Sequence, residues 1–309
     1  MLPFKVIYHP QYDLDLGPHV FPSQKFRLIH DALLAEGIAD AGDFLQPEPA
    51  PDEDILRVHT PEYVRKLRTD SLTLSERMKL EIPLTETTRE GFWLAAGGST
   101  LAGRKALEDG FAANLSGGFH HAYPGHGEGF CMIHDVAVAI RTLQAEGKIR
   151  TAMTVDTDVH HGNGTAAIFA SDPSVYTLSI HQENNYPEPK PPSDEDIGLA
   201  DGVRDDEYLD ALEEGLVRAL KKMKPDLIFY VGGADPYRED QLGGLALTIE
   251  GLQKRDRLVF EHARRAAIPA ATTLAGGYAR RVADTVRIHV NTIVAARDVA
   301  HQLSATGST

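Results

Sequence analysis

Residues 155–164 read VDTDVHHGNG and begin at the last residue of the apolar run TAMTV (151–155). Two carboxylates and two imidazoles stand close together there, on Asp156, Asp158, His160 and His161. Burying such groups without partners is costly. A bound metal ion would give them a common partner, so the stretch predicts a strand that ends in a metal-binding loop. Buried carboxylates that cap neighbouring backbone groups are the alternative, and this motif alone leaves both open.

Further strand candidates alternate with longer helical patterns. The other apolar runs are FKVIY (4–8), AANL (112–115), VYTLSI (175–180), DLIFYV (226–231) and AATTL (270–274). The helical stretches between them cover 23–37, 97–110, 134–147, 205–223 and 250–267. This alternation is typical of βαβ units and predicts an α/β fold, a three-layer αβα arrangement around a mostly parallel sheet.

The organisation of the chain predicts a single domain over residues 1–309. We find no internal repeat and no change of composition that marks a linker. Two proline-rich stretches, QPEPAPDED (46–54) and NNYPEPKPPSDED (184–196), are predicted to be surface loops.

Composition narrows the class of protein. The formal net charge is −14 and basic residues cluster only in pairs, so no direct nucleic-acid binding is expected. An acidic surface could attract cationic partners such as histone tails or polyamines, or could serve solubility alone. The single cysteine, Cys131, excludes a disulfide framework and a cysteine-rich zinc finger. No signal peptide and no apolar run of about 18 residues is visible, so we expect a cytoplasmic protein without a membrane span.

Polar and small residues follow four of the predicted strands. The segments are SGGFHHA (116–122), DTDVHHGNG (156–164), GGADPY (232–237) and AGGY (275–278). In open α/β sheets, ligands bind outside the carboxyl ends of the strands. Because the carboxyl ends of parallel strands lie along one edge, these four segments are expected to converge.

Asp158 and His160 are the strongest candidates for metal ligands. At positions i and i+2 of an extended strand end, their side chains point the same way. Imidazole and carboxylate ligands suit Zn²⁺, and a catalytic zinc needs a third protein ligand beside an open position. Asp235, behind two glycines at another strand end, is the best candidate for that third ligand.

The adjacent residues His120 and His121 suggest acid–base chemistry. Hydrolysis of an amide at a metal needs a base for the water and a donor for the leaving amine. Each imidazole needs an orienting acceptor, which Asp156 and Asn163 could supply. An isolated histidine pair would more often be structural, but the metal motif and Tyr278 behind Gly276–Gly277 favour catalysis.

These motifs together resemble the metal-dependent histone deacetylase family, which has the arginase–deacetylase fold. GGFHHA, GFC (129–131), DTDVHHGNG, GGAD and AGGY stand in the family's order and at its usual separations. The resemblance runs nearly end to end, and residues 240–260 look like the class IV branch in particular.

The resemblance implies a role for each matching residue. Asp158, His160 and Asp235 would hold Zn²⁺, with Fe²⁺ as the alternative in the cell. His121 would be the general base, oriented by Asn163, while Asp156 orients His120. Tyr278 would donate a hydrogen bond to the substrate carbonyl oxygen. The acyl-lysine tunnel would be lined by Gly129, Phe130, Tyr186 and Leu242.

The resemblance also implies structural K⁺. Asp156 would help to bind one ion, together with the backbone carbonyls of Asp158 and His160 and the Ser179 hydroxyl. A second monovalent cation is often held at the positions of Phe169, Asp172 and Val175.

The chain departs from the family pattern at three places. Asn163 stands where class I members usually have aspartate, and an amide stabilises an imidazolium less well, which suits a neutral His121. The loop that contains Tyr186 is unusually rich in proline. The acidic residue that often grips the substrate backbone has no clear match, and Glu81 is a weak candidate for it.

The favoured function is a zinc-dependent amidohydrolase that removes acetyl or longer acyl groups from lysine side chains of proteins or peptides. The nearest alternative is a deacetylase of small acylated amines such as acetylpolyamines. An arginase-type ureohydrolase would need two metals and more carboxylate ligands. A metal-binding regulatory module would lack a catalytic side chain. The sequence leaves the oligomeric state open.

Overall fold

The computed structural model describes residues 1–301. Within that range the chain forms one eight-stranded sheet in the order β2-β1-β3-β8-β7-β4-β5-β6, and every neighbouring pair is parallel. The strands are β1 (Lys5–Ile7), β2 (Phe44–Leu45), β3 (Phe111–Asn114), β4 (Ala152–Asp156), β5 (Val175–Gln182), β6 (Glu195–Leu199), β7 (Leu227–Gly232) and β8 (Ala270–Leu274).

Helices cover both faces of the sheet. Their bounds are α1 (Lys25–Ala35), α2 (Asp52–Ile55), α3 (Pro61–Arg68), α4 (Leu74–Leu80), α5 (Glu86–Asp109), α6 (Asp135–Ala145), α7 (Asn163–Phe169), α8 (Asp205–Lys222), α9 (Ile249–Arg265) and α10 (Val282–His301). Helices α5 and α6 pack together on one face, and α1, α10, α9 and α8 form a continuous layer on the other. The predicted three-layer αβα fold is confirmed.

Local sequence explains where these elements begin and end. Strands β3, β4, β7 and β8 have every residue buried, which matches their continuous apolar runs. Thr85 and Thr248 cap the first turns of α5 and α9 by accepting backbone N–H groups. Gly110 ends α5 with a φ of 87°, a conformation that glycine adopts without strain.

The four strands with polar carboxyl ends are direct neighbours. β3, β8, β7 and β4 stand side by side in the middle of the sheet, although β4 follows β3 in the chain. After β3 the chain crosses to the other half of the sheet and forms β4, β5 and β6. It then returns to the centre, where β7 and β8 fill the space between β4 and β3. Ligand sites of α/β folds form at such reversals of strand order.

Several elements differ from the sequence prediction. The stretch 184–196 was expected to be a loop throughout, but β6 begins at Glu195. This edge strand is half exposed and carries acidic residues, so it lacks the apolar run that marks the central strands. Helix α5 begins at Glu86, well before the predicted 97, and α10 was not predicted. None of the helices within residues 1–301 is long and apolar enough to cross a membrane.

Candidate active site

The carboxyl ends of β3, β4, β7 and β8 bring the predicted ligands together. Asp156 is the last residue of β4, and its strand partners are Ser179 on β5 and Val231 on β7. Asp158 and His160 follow in the next loop, and Asp235 lies three residues after Gly232, the last residue of β7. The convergence expected from the sequence is therefore present.

Three side chains have the spacing of a metal site. One ligand atom each of Asp158, His160 and Asp235 lies within 4.8 Å of the other two. His160 Nδ1 is 3.0 Å from Asp158 Oδ1 and 3.5 Å from Asp235 Oδ2. A Cβ on Gly276 would lie 2.0 Å from Asp235 Oδ2, so only glycine lets the β8 loop approach these carboxylates.

The chemistry of this trio fits a divalent cation. Asp235 is fully buried, and its Oδ2 has no hydrogen-bond partner among residues 1–301. A buried carboxylate oxygen without a partner is costly, and a metal ion would satisfy it. Two carboxylates and one imidazole beside a cavity form a ligand set that zinc accepts, with a position left open.

The pKa values of Asp235 and His160 also indicate that the buried carboxylates are stabilised by positive charge. Burial and the neighbouring Asp158 carboxylate raise the pKa of Asp235 to about 7. Burial alone would lower the pKa of His160, but its hydrogen bond with Asp158 and the charges of both aspartates outweigh burial and raise the pKa to about 10. Two carboxylates in one buried pocket thus need a cation between them, whether a proton or a metal.

The two adjacent histidines have different partners. His120 Nδ1 lies 2.7 Å from Asp156 Oδ2, and His121 Nδ1 lies 2.6 Å from Asn163 Oδ1. The ring centroids are 4.1 Å apart, and the His121 ring lies 5.9 Å from that of His160. The orienting pairs expected from the sequence are formed, and both rings reach the cavity beside the trio.

These partners push the two pKa values apart. Burial opposes protonation of His120, but the Asp156 and Asp158 charges outweigh it and raise the pKa to about 9. Burial, with the charges of His120 and His160, holds the pKa of His121 well below its usual 6.5. One histidine is therefore suited to hold a proton and the other to accept one.

Tyr278 faces the same cavity from the β8 side. Its backbone N–H donates to Asp240 Oδ2 at 2.7 Å, which fixes the turn after Gly276–Gly277. Its ring lies 6.4 Å from that of His160 and 5.9 Å from that of Phe130. Burial raises the pKa of the phenol well above 10, so the hydroxyl remains a hydrogen-bond donor.

A cavity of about 220 Å³ leads from the surface to this cluster. The four expected tunnel residues line it with the site histidines and Tyr278, and Glu81 stands at its mouth; the set is Glu81, His121, Gly129, Phe130, His160, Asn185, Tyr186, Leu242 and Tyr278. Gly129 and Phe130 have φ values of 54° and 68°, so a tight turn places their backbone at the cavity wall. Tyr186 is 38% exposed and forms part of the outer wall.

The residues expected to hold K⁺ form hydrogen bonds with one another and with neighbouring groups. Ser179 Oγ is 3.0 Å from His181 Nδ1, and Asp156 Oδ1 accepts the Asp158 N–H at 3.1 Å. Phe169 and Asp172 share one turn between α7 and β5, where the Asp172 N–H donates to the Phe169 carbonyl and the Val175 N–H to the Asp172 carbonyl. K⁺ binding at both places stays a prediction.

Sequence reasoning missed two polar residues near the site. Glu128 accepts a hydrogen bond from Asn163 and another from Tyr186. Lys25 is fully buried between the Phe21 and Phe26 rings and donates to the Ala275 carbonyl, and burial lowers its pKa to about 8. Neither belongs to a recognisable ligand spacing, and the hydrogen bond of Lys25 joins residues 250 positions apart.

A second histidine–aspartate group lies behind the site. One ligand atom each of His161, His181 and Asp196 falls within 4.8 Å of the others. His161 Nε2 already lies 3.1 Å from Asp196 Oδ1, and its Nδ1 has no partner among the described residues. Metal-bound histidines usually donate their other ring N–H to an acceptor. A His161–Asp196 hydrogen bond accounts for this group.

Comparisons with known proteins agree with this geometry. The histone deacetylase domain model matches residues 19–293. An uncharacterized protein of Picosynechococcus is 43% identical over 96% of this chain and 99% of its own, and histone deacetylase 2 of Arabidopsis thaliana is 30% identical over 91% and 77%. The crystal structure of a histone deacetylase homologue from Aquifex aeolicus superposes with a TM-score of 0.80, at 26% identity over 97% of this chain and 84% of that one. The chain therefore belongs to the histone deacetylase family.

Proposed function

We propose that this protein is a zinc-dependent amidohydrolase that removes acyl groups from lysine side chains. The convergence of Asp158, His160 and Asp235 at the base of a narrow cavity carries the proposal, because Asp235 Oδ2 is buried without a partner among the described residues. These three residues would hold the metal, with Fe²⁺ as an alternative ion. When bound, the ion would polarise the acyl carbonyl and make a water more acidic.

The histidine pair supplies the proton transfers. His121 is held neutral, so its free ring nitrogen can take a proton from the attacking water. His120, kept protonated by Asp156, can deliver a proton to the departing amine. The different partners, Asp156 and Asn163, thus divide the acid and base roles between neighbouring residues.

Tyr278 stabilises the negative charge that develops on the acyl oxygen. Its phenol stays protonated and lines the same cavity as His121 and His160. A donor aimed at the developing oxyanion acts mainly in the transition state, where it lowers the barrier.

The cavity wall favours a long methylene stem. Phe130, Tyr186 and Leu242 offer apolar and aromatic surface around a narrow space, which suits the aliphatic part of an acyl-lysine. The whole chain would act as one catalytic domain of the class IV type, stabilised by K⁺ at the two positions described above. The acidic residue Glu81 at the mouth also favours cationic substrates, so an acetylpolyamine is the second candidate.

A substrate panel tests this proposal. Purified protein is assayed with an acetyl-lysine peptide, a long-chain acyl-lysine peptide and an acetylpolyamine, each at several concentrations. We expect the highest kcat/KM with an acyl-lysine peptide, and Asp235→Ala serves as the inactive control. Much faster turnover of the acetylpolyamine would replace the lysine proposal with the small-molecule one.

A further inference from the structure

Glu128 lies directly behind the proposed base. Its Oε1 accepts a hydrogen bond from Asn163 Nδ2 at 2.5 Å and another from the Tyr186 hydroxyl at 3.0 Å. Its Oε2 is 3.0 Å from His126 Nε2. Asn163 in turn accepts from His121 through Oδ1. One chain of hydrogen bonds therefore joins the Glu128 carboxylate to the His121 ring.

The backbone holds Glu128 firmly at this place. Glu128 and Cys131 exchange backbone hydrogen bonds of 3.2 and 2.9 Å around the Gly129–Phe130 turn. The N–H groups of the two turn residues donate to carbonyls at the end of α4. The side chain is only 15% exposed, so its direction is fixed by packing as well.

Glu128 is ionised in this setting. Burial raises its pKa, but hydrogen bonds from His126, Asn163 and Tyr186 outweigh burial and lower it below the usual value. An ionised carboxylate can only accept hydrogen bonds. The Asn163 amide must then turn its NH₂ group toward Glu128 and its carbonyl oxygen toward His121.

The same reasoning fixes the proton on His121. An oxygen facing Nδ1 requires that Nδ1 carry the hydrogen, which leaves Nε2 unprotonated. If the amide were reversed, its NH₂ group would face Nδ1 and the ring proton would move to Nε2. The base would then have no free electron pair on that nitrogen.

We propose that Glu128 is a positioning residue that sets the direction of the Asn163 amide and thereby keeps His121 in the tautomer that can act as a base. This proposal rests on the proposed function, in which His121 takes the proton from water. An aspartate at position 163 would fix the proton on His121 Nδ1 directly, whereas Glu128 fixes it through the Asn163 amide. Because its Oε1 also holds Tyr186, it joins the tunnel wall to the base.

The first test removes the charge and keeps the shape. Glu128→Gln can offer either an oxygen or an NH₂ group to Asn163, so the chain loses its fixed direction. We expect ¹⁵N NMR of the His121 ring to change from the Nδ1–H form to a mixture with the Nε2–H form. We also expect kcat to fall about tenfold, with KM changing much less, as for other residues that orient a reacting group.

The second test exchanges the two groups. Asn163→Asp alone sets two carboxylates against each other and should lower both the Tm and kcat. In the double variant Glu128→Gln/Asn163→Asp, the introduced glutamine amide can donate to the introduced aspartate carboxylate, which then accepts from both sides. The double variant should regain the Nδ1–H form and exceed Asn163→Asp in Tm and kcat. The Glu128→Gln change should therefore lower kcat in the wild type and raise both kcat and Tm in the Asn163→Asp variant.

His126→Gln is the matched control. Its amide can still donate to Glu128 Oε2, and the bond from Asn163 to Oε1 is untouched, so the tautomer and kcat should stay as in the wild type. Unchanged His121 shifts in Glu128→Gln, or additive effects in the double variant, would overturn the proposal. A wild type that hydrolyses no amide would refute the proposed function alone, because the tautomer and Tm measurements still decide the role of Glu128.

Discussion

Two pairs of histidines are similarly buried but differ in their hydrogen-bond partners and in their access to the cavity. His120 and His121 are 3% and 5% exposed, and His59 and His134 are each 1% exposed. The first pair bonds to the side chains Asp156 and Asn163 and reaches the cavity. The second pair bonds mainly to backbone groups and a threonine, away from the cavity.

The partners of the second pair hold both rings neutral. His59 Nδ1 donates to the Tyr123 carbonyl, and its Nε2 accepts the His134 backbone N–H, both at 3.0 Å. His134 Nδ1 accepts the Ala137 N–H at 3.2 Å, and its Nε2 donates to Thr165 Oγ1 at 2.9 Å. With every ring nitrogen occupied, these residues can stabilise the loops around the site but have no nitrogen left for a substrate.

The largest expected difference between the two pairs is seen when one histidine is removed from each. His121→Ala should lower kcat by about 10²–10⁴, the usual contribution of a general base, and should lower the Tm less than His134→Ala, because it strands only Asn163 Oδ1 beside the open cavity. His134→Ala should lower the Tm, because it strands the Ala137 N–H and the Thr165 hydroxyl, while the folded fraction keeps most of its kcat. Steady-state kinetics and thermal melting of both variants check this. Equal losses of kcat at equal Tm would mean that the pairs do not differ in role.

The next largest effect is expected for Tyr278, the proposed hydrogen-bond donor that lines the same cavity. Tyr278→Phe keeps the ring and removes the hydroxyl, so kcat should fall by about 10²–10³ with KM changing less. Metal content is measured on the same samples and should stay at the wild-type level. A near-normal kcat with the metal retained would show that Tyr278 packs through its ring alone.

A smaller effect appears in the pH dependence of stability. Burial lowers the pKa of His59 to about 4 from the usual 6.5, so the unfolded chain binds a proton there before the folded chain does. The contribution is fully present above pH 6.5 and is lost as the pH falls toward 4, by roughly 3 kcal/mol in total. Urea unfolding of the wild type and His59→Gln between pH 7 and 4 should show a shallower pH slope for the variant. Identical slopes would contradict the neutral assignment of His59.

The sequence predicted the parts of the site that lie next to a strand. AATTL forms β8 over the predicted residues, and the segments after β3, β4, β7 and β8 converge as expected. Continuous apolar strands and the parallel-sheet rule were sufficient for that. β6 was missed because an exposed edge strand carries no such pattern.

The contacts behind the reacting residues could not be predicted. Glu128 lies 35 positions before Asn163, and a glycine-rich loop gives no sign of where its single carboxylate points. His59 and His134 were not separable from surface histidines, since burial and backbone partners are properties of the fold. Contacts between polar groups on different loops are visible only in the three-dimensional structure.

Metal removal and return tests the central claim most directly. Wild type and Asp235→Ala are stripped with a chelator, dialysed and then titrated with Zn²⁺ while acetate release from an acetyl-lysine peptide is followed. The stripped wild type should be inactive and should regain its activity at about one equivalent of Zn²⁺, whereas Asp235→Ala should remain inactive and bind less metal. Full hydrolysis by the stripped wild type, or full zinc binding by Asp235→Ala, would contradict the assignment of Asp158, His160 and Asp235 as the metal site of a hydrolase.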